Sequence, residues 1–207
     1  MNIEFAYICE GTSDEALVRH LEHLCVELGF QEASGVIPEF DRLPKAIGKT
    51  VEARVAALRL LYPAINVVFV HRDADNVSPN ERYDEIRLGV ESVGGYKWVG
   101  LVPVRELEAW LLVDEEGIRY VAENPNGTVK LNLPKVSAVE FVADPKELLW
   151  NAIEQASELA GRRLEKLKKN RSKKRRMLVE RISSSEKIRE LPSWKKLYED
   201  IGVLAQT

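Results

Sequence analysis

The chain is 207 residues long, enough for one sizeable core plus an extension, and its 45% apolar and 30% charged composition excludes wholesale disorder. No apolar run approaches the roughly 20 residues that span a bilayer, and the opening MNIEFAYICEGTSD lacks the basic flank and cleavage site of a signal peptide, so a cytoplasmic protein with no membrane partner is expected. The net charge of −3 hides a segregation: residues 1–160 carry 15 basic and 27 acidic side chains, residues 161–176 carry 10 basic and one acidic, and the rest balance at five and five. A basic arm on an acidic body is a cue for contact with a polyanion, although such a run also serves as the solvated face of a helix.

The first apolar run, residues 2–9, fits a buried strand and ends at Glu10-Gly11. From Ser13 to Leu28, apolar residues recur at Leu17, Val18, Leu21, Leu24, Cys25 and Leu28, the spacing of one buried helical face. Thr12 and Glu15 are spaced as a capping box, and Gly29 is a natural stop. Cys9, in the strand, and Cys25, on the helix, read as buried thiols rather than as a disulfide or a zinc site. A second strand is expected over 35–40, then a helix opened by Pro44 and ended before Pro63. INVVFV, residues 65–70, is β-branched without alternation and reads as a strand covered on both faces.

Further on, Ser78-Pro79-Asn80-Glu81 has the N-cap, N1 proline and N3 glutamate of a helix that Gly94-Gly95 ends. A fourth strand is expected over 98–104, and a helix over 105–113 directly after it. This alternation predicts an α/β fold, a parallel sheet flanked by helices, whose sites form where loops leave the carboxyl ends of strands. Beyond Asp114 the pattern weakens to a turn at 124–127 and a mixed segment over 131–142. Asp144-Pro145 then opens a long helix reaching toward Ile182, its second half the basic arm, and Ser193 is placed to cap a last helix.

Three acidic places occupy equivalent positions in this scheme: Glu10 after the first strand, Asp73 and Asp75 after the third, and Glu106 with Glu108 after the fourth. Carboxylates gathered at one sheet edge repel one another unless a cation neutralises them, and hard oxygen donors suit Mg²⁺ or Mn²⁺. Each also has a plainer reading: aspartates favour turns, and glutamates favour the first turn of a helix. His71 and Arg72, adjoining the aspartates, receive no catalytic role. Gly48-Lys49-Thr50 has the ending of a phosphate-binding loop but lacks its earlier glycine, since position 43 is Leu, and it falls within an expected helix.

Glu10-Gly11-x-x-Asp14 followed by Asp73-x-Asp75 after a later hydrophobic strand resembles the Toprim domain of topoisomerases, primases and OLD-family nucleases, over about residues 1–113. The string Val104-Arg105-Glu106-Leu107-Glu108-Ala109-Trp110-Leu111-Leu112 resembles an element of small standalone Toprim-like proteins, some of which act in phage defence beside an ATPase. The resemblance implies a Toprim-like (Rossmann-like) catalytic core over 1–115, with residues 116–207 forming a mixed segment and a C-terminal helical extension that bears the arm. It also implies Mg²⁺- or Mn²⁺-dependent cleavage of nucleic acid, DNA or RNA, with an ATPase partner as a further expectation, while the sequence leaves open whether the chain forms a homo-oligomer. In that scheme Glu10, Asp73 and Asp75 are catalytic and metal-binding, with Glu106 or Glu108 supplying a second metal position. The arm (Arg162, Arg163, Lys168, Lys169, Arg171, Lys173, Lys174, Arg175 and Arg176) would track phosphates. Two other classes stand beside it: a non-catalytic Toprim-like docking or regulatory subunit, and an Asp-x-Asp glycosyltransferase, which leaves Glu10-Gly11 unexplained.

Overall fold

The computed structural model describes residues 1–182 and 185–206. They fold as an α/β protein in two units, one of residues 1–102 with 196–206, the other of residues 103–182 and 185–195. Among the described residues no helix is long and apolar enough to cross a membrane.

The first unit is built on a four-stranded sheet of β1 (Asn2–Ile8), β2 (Glu32–Val36), β3 (Val67–His71) and β4 (Lys97–Leu101), all parallel, in the order β2-β1-β3-β4. β3 is buried at every position, as its unbroken apolar run requires. Ala6, Ile8, Val68 and Val70 pack in a core with Val55 and Leu58 of α2 (Val51–Leu61) and Ile86 and Val90 of α3 (Pro79–Val93). The alternate residues Phe5 and Phe69 meet each other with ring centroids 4.3 Å apart. α1 (Val18–Glu27) turns Leu21, Leu24 and Cys25 inward. Each of these large side chains contributes roughly 1.5–3 kcal/mol through burial.

Several helix starts differ from expectation for local reasons. The chain leaves β1 through a turn and a 3-10 segment, Glu15–Leu17, before α1 begins, so Thr12 does not open the helix directly. α2 begins at Val51, where the Thr50 hydroxyl accepts a hydrogen bond from the Ala53 amide; Pro44 lies seven residues too early. At Ser78 the expected box forms in full: the Ser78 hydroxyl accepts from the Glu81 amide, and the Glu81 carboxylate accepts from the Ser78 amide. Gly89 of α3 lies against α2 so closely that a β-carbon would sit 2.7 Å from Val51 Cβ.

In the second unit, α4 (Glu108–Leu111) is one turn, not the nine residues expected, because Arg105 takes a left-handed φ of 67° that no continuing helix allows. α5 (Glu115–Val121) follows, capped by Asp114. The single long helix expected after Asp144 is three: α6 (Pro145–Ser157), α7 (Gly161–Lys169) and α8 (Arg171–Val179). Glu158 and Gly161, both at positive φ, make the first break, and Asn170 makes the second. α9 (Pro192–Ala205) starts in this unit, where the Glu140 carboxylate accepts from the Ser193 amide at 3.2 Å and from its hydroxyl. That hydroxyl in turn accepts from Trp110 Nε1 at 2.7 Å, so Ser193 is part of a buried relay rather than a simple cap.

Replacing Gly89 with Ala separates packing from propensity. Alanine in a helix interior is favoured over glycine by about 1 kcal/mol, whereas overpacking costs about 1–3 kcal/mol. The expected outcome is a net loss of about 1 kcal/mol, read as a lower midpoint in urea unfolding; a gain would show that α2 and α3 simply move apart.

Candidate functional site

The parallel register pairs Ala6 with Val68, Tyr7 with Phe69 and Ile8 with Val70, so the chain emerging from β1 and the chain emerging from β3 leave the sheet side by side. Glu10 and Arg72 consequently meet, with Oε1 to Nη1 at 2.9 Å. Arg72 continues the ladder by donating its amide to the Leu101 carbonyl, and Arg54 of α2 donates to the Cys9 carbonyl at 2.6 Å, which fixes both strand ends. Asp75 adopts φ 51°, a left-handed turn position that Asp tolerates better than most residues. Only Asn76 and Val77 then separate it from the Ser78 cap of α3.

His71 lies beneath these acids with a fully buried side chain. Its Nε2 is 3.2 Å from Asp73 Oδ1 and its Nδ1 is 3.7 Å from Asp14 Oδ2. Asp14, itself buried, is held in the turn after β1 by the Gly11 amide. Burial pushes the imidazole pKa down, but the hydrogen bond to Asp73 and the charges of Asp73, Asp14 and Glu10 outweigh it and raise the pKa above its ordinary value. Glu10 is also raised, first by burial; Arg72 and His71 pull it down while Asp73 and Asp75 push it up. A carboxyl so tuned can hold or release a proton nearer neutrality than an exposed glutamate.

α3 completes the site with residues that the sequence did not single out. Glu85 bridges Arg72 (Oε1 to Nη2, 3.0 Å) and Arg82 (Oε2 to Nη1, 2.7 Å). Arg82 also reaches Asp75 at 3.3 Å and donates Nε to the Asp73 carbonyl at 2.9 Å. The legible signal was the spacing of Arg82 and Glu85, one turn apart at the start of a helix that begins beside the aspartates. Cys9 donates its thiol to the Gly11 carbonyl; burial, with Asp14 and Glu15 nearby, pushes its pKa up to about 12. Cys25, buried in α1, is likewise pushed up to about 12, so both thiols stay protonated at neutral pH.

The donor set fits a hard divalent cation in its chemistry. Glu10, Asp73 and Asp75, with Asp14 and Glu85 close by, are five carboxylates against two arginines and one histidine, all oxygen donors of the kind Mg²⁺ and Mn²⁺ take. Among the described residues no three acidic, histidine or cysteine side chains converge on one point, because the arginines are threaded between them.

In the second unit, Glu108 is buried and its carboxylate is engaged by Arg175 of α8, with Nε to Oε1 at 2.8 Å and Nη2 to Oε2 at 3.4 Å. Glu106 is half-buried at the turn before α4. The basic arm divides in two. Lys174 is buried, donating to the Val121 carbonyl and to Glu123, whose carboxyl it holds below the usual range. Arg171 and Lys168 share Glu154, Arg171 also stacks over Trp150, and Arg176 pairs with Glu180. Arg162, Arg163, Lys169 and Lys173, together with Lys166, are exposed and make no ion pair among the described residues.

These features define an α/β chain with an acid, arginine and histidine cluster at the carboxyl end of its sheet. Comparisons with protein-family models, with curated proteins and with solved structures found no match.

His71 gives the site a pH signature. Because its folded pKa is raised, the charged form stabilises the fold fully below the ordinary imidazole value, and that contribution is lost as pH rises through the elevated one. An NMR titration of the His71 ring should show a midpoint above 6.5, falling in Asp73→Asn as the hydrogen bond and charge are removed. A midpoint unmoved by Asp73→Asn would exclude Asp73 as the source.

Proposed function

We propose that this protein is a nuclease that cleaves phosphodiester bonds of nucleic acid with Mg²⁺ or Mn²⁺. The reading rests on one observation: β1 and β3 are paired neighbours whose register brings Glu10 beside Arg72 and Asp73. Glu10, Asp73 and Asp75 would hold the cation. When bound, the ion supplies charge to a phosphoryl oxygen and acidifies water. His71 orients Asp73 through its Nε2 contact. Glu10, whose raised pKa keeps a proton within reach, accepts one at Oε from the attacking water or returns it to the leaving oxygen. The exposed cations of the arm, Arg162, Arg163, Lys166, Lys169 and Lys173, supply affinity for the phosphate backbone without reading sequence. The Toprim resemblance further supports an effector role in phage defence beside an ATPase.

The alternative is a docking or regulatory subunit that keeps this fold without catalysis. It draws support from the arginines that already neutralise Glu10 and Asp75. The two readings part on one assay. With plasmid DNA or RNA and Mn²⁺, the purified chain is expected to nick or degrade, and Asp73→Ala to abolish this while retaining its circular-dichroism spectrum. Full activity in Asp73→Ala would overturn the metal assignment, and no cleavage and no Mn²⁺ binding, with or without an ATPase partner, would favour the docking subunit.

The arm yields a second test. Neutralising Arg162, Arg163, Lys166, Lys169 and Lys173 together should flatten the slope of log affinity against log salt by up to about 0.9 per side chain on duplex, or about 0.7 on single strands. An unchanged slope would remove the arm from the interface.

A further inference from the structure

Two guanidiniums lie among the carboxylates assigned to the cation, and their bonding follows one pattern. Arg72 spends Nη1 on Glu10 and Nη2 on Glu85, while its buried Nε has no acceptor among the described residues. Arg82 spends Nη2 on Asp75 and Nη1 on Glu85, with Nε tied to the Asp73 carbonyl. Glu10, Arg72, Glu85, Arg82 and Asp75 thus form one unbroken chain of ion pairs. Each arginine has a partner that belongs to the proposed cation site and a second, Glu85, that does not. Glu85 therefore keeps both guanidiniums in place whatever Glu10 and Asp75 bind.

We propose that Arg72 and Arg82 are the phosphate-receiving groups of this site: they compete with a divalent cation for Glu10 and Asp75, and the nitrogen atoms released from those carboxylates donate to the oxygens of a phosphodiester. The proposal rests on the metal-dependent reading above and adds the groups that recognise the anion. A guanidinium presents five donors in a planar fork matched to phosphate oxygens, of which Arg72 commits two, one at Nη1 to Glu10 and one at Nη2 to Glu85. Two arginines against Glu10, Glu85 and Asp75, with Asp73 and Asp14 adjoining, leave a negative surplus, so a cation and both arginines can share the site. Like charges a few ångströms apart still oppose each other, and this makes arginine and cation rivals for the same oxygens.

Rivalry has a signature that a structural strut lacks, because losing a rival and losing a phosphate donor act in opposite directions on the two ligands. The test measures Mn²⁺ affinity of the full chain by electron paramagnetic resonance. It also measures affinity for the dinucleotide pTpT in Ca²⁺ by calorimetry, a probe too small to gain much from the basic arm. Arg72→Gln is expected to bind Mn²⁺ several-fold more tightly and pTpT about tenfold or more weakly, the loss of one charge-assisted hydrogen bond. Arg82→Gln should show the same crossing and carries the test if the Arg72 variant does not fold. Wild type that binds Mn²⁺ beside variants that weaken toward both ligands, or change toward neither, would overturn the proposal and leave the metal reading standing. No Mn²⁺ binding by wild type or either variant would overturn both, whereas binding by the variants alone would support the competition.

Discussion

The pairing of β1 with β3 is the constraint on which the rest depends. Because Ile8 stands opposite Val70, two segments more than 60 residues apart in sequence leave the sheet at the same level. Glu10 then meets Arg72, His71 is enclosed between Asp73 and Asp14, and the short turn through Asp75 delivers the first turns of α3 to the same edge. None of these contacts needs a long loop. The backbone does the gathering, and the side chains inherit their neighbours from it.

Gathering acids raises an electrostatic problem that the fold answers with arginines. Glu85 is the hinge of that answer, holding one guanidinium on each side while the guanidiniums hold Glu10 and Asp75. The second unit uses the same device for a different end. There Arg175 compensates buried Glu108, and Lys174 ties α8 to the end of α5. Half of a segment that reads as uniformly basic is thus engaged in ion pairs within the chain, Lys174 and Arg175 well enclosed and Arg171 and Arg176 still exposed, while the other half faces solvent without an ion pair among the described residues. A buried cation deprived of its carboxylate would be costly, so these internal pairs are poor places to seek ligand contacts.

Much of the fold was legible because its signals are local. The apolar run of β3, the Ser78 box and the Asp144 cap each declare themselves within a few residues, and the structure places them where they were expected. The helix over 105–113 and the long helix after Asp144 were misread because periodicity is blind to a single left-handed residue: Arg105 and Glu158 carry side chains that favour helices, yet both adopt positive φ. The α/β alternation placed the strand ends along one sheet edge, but neither the β1–β3 adjacency nor its register followed from it. Glu85 and Arg82 were passed over for another reason: their spacing, one turn apart on a helix, is also that of an ordinary surface ion pair until the strand ends beneath it are known. Which arm cations point inward was equally hidden, since Lys174 and Lys173 differ only in which side of one helix they occupy.

The order of the strands carries one more consequence. β2 and β4 are the edges of the sheet, and β1 and β3 lie between them, each paired on both sides. Edge strands are the part of a sheet that frays, and local openings of that kind cost far less than global unfolding. Releasing β2 leaves the β1–β3 ladder intact, and with it the spacing of Glu10, Arg72 and Asp73, whereas releasing β4 costs the cluster one tie, the Arg72 amide on the Leu101 carbonyl. The cluster is thereby buffered from the breathing motions of the sheet's margins, and the amide protons that β1 and β3 donate to each other should exchange only when the first unit opens as a whole.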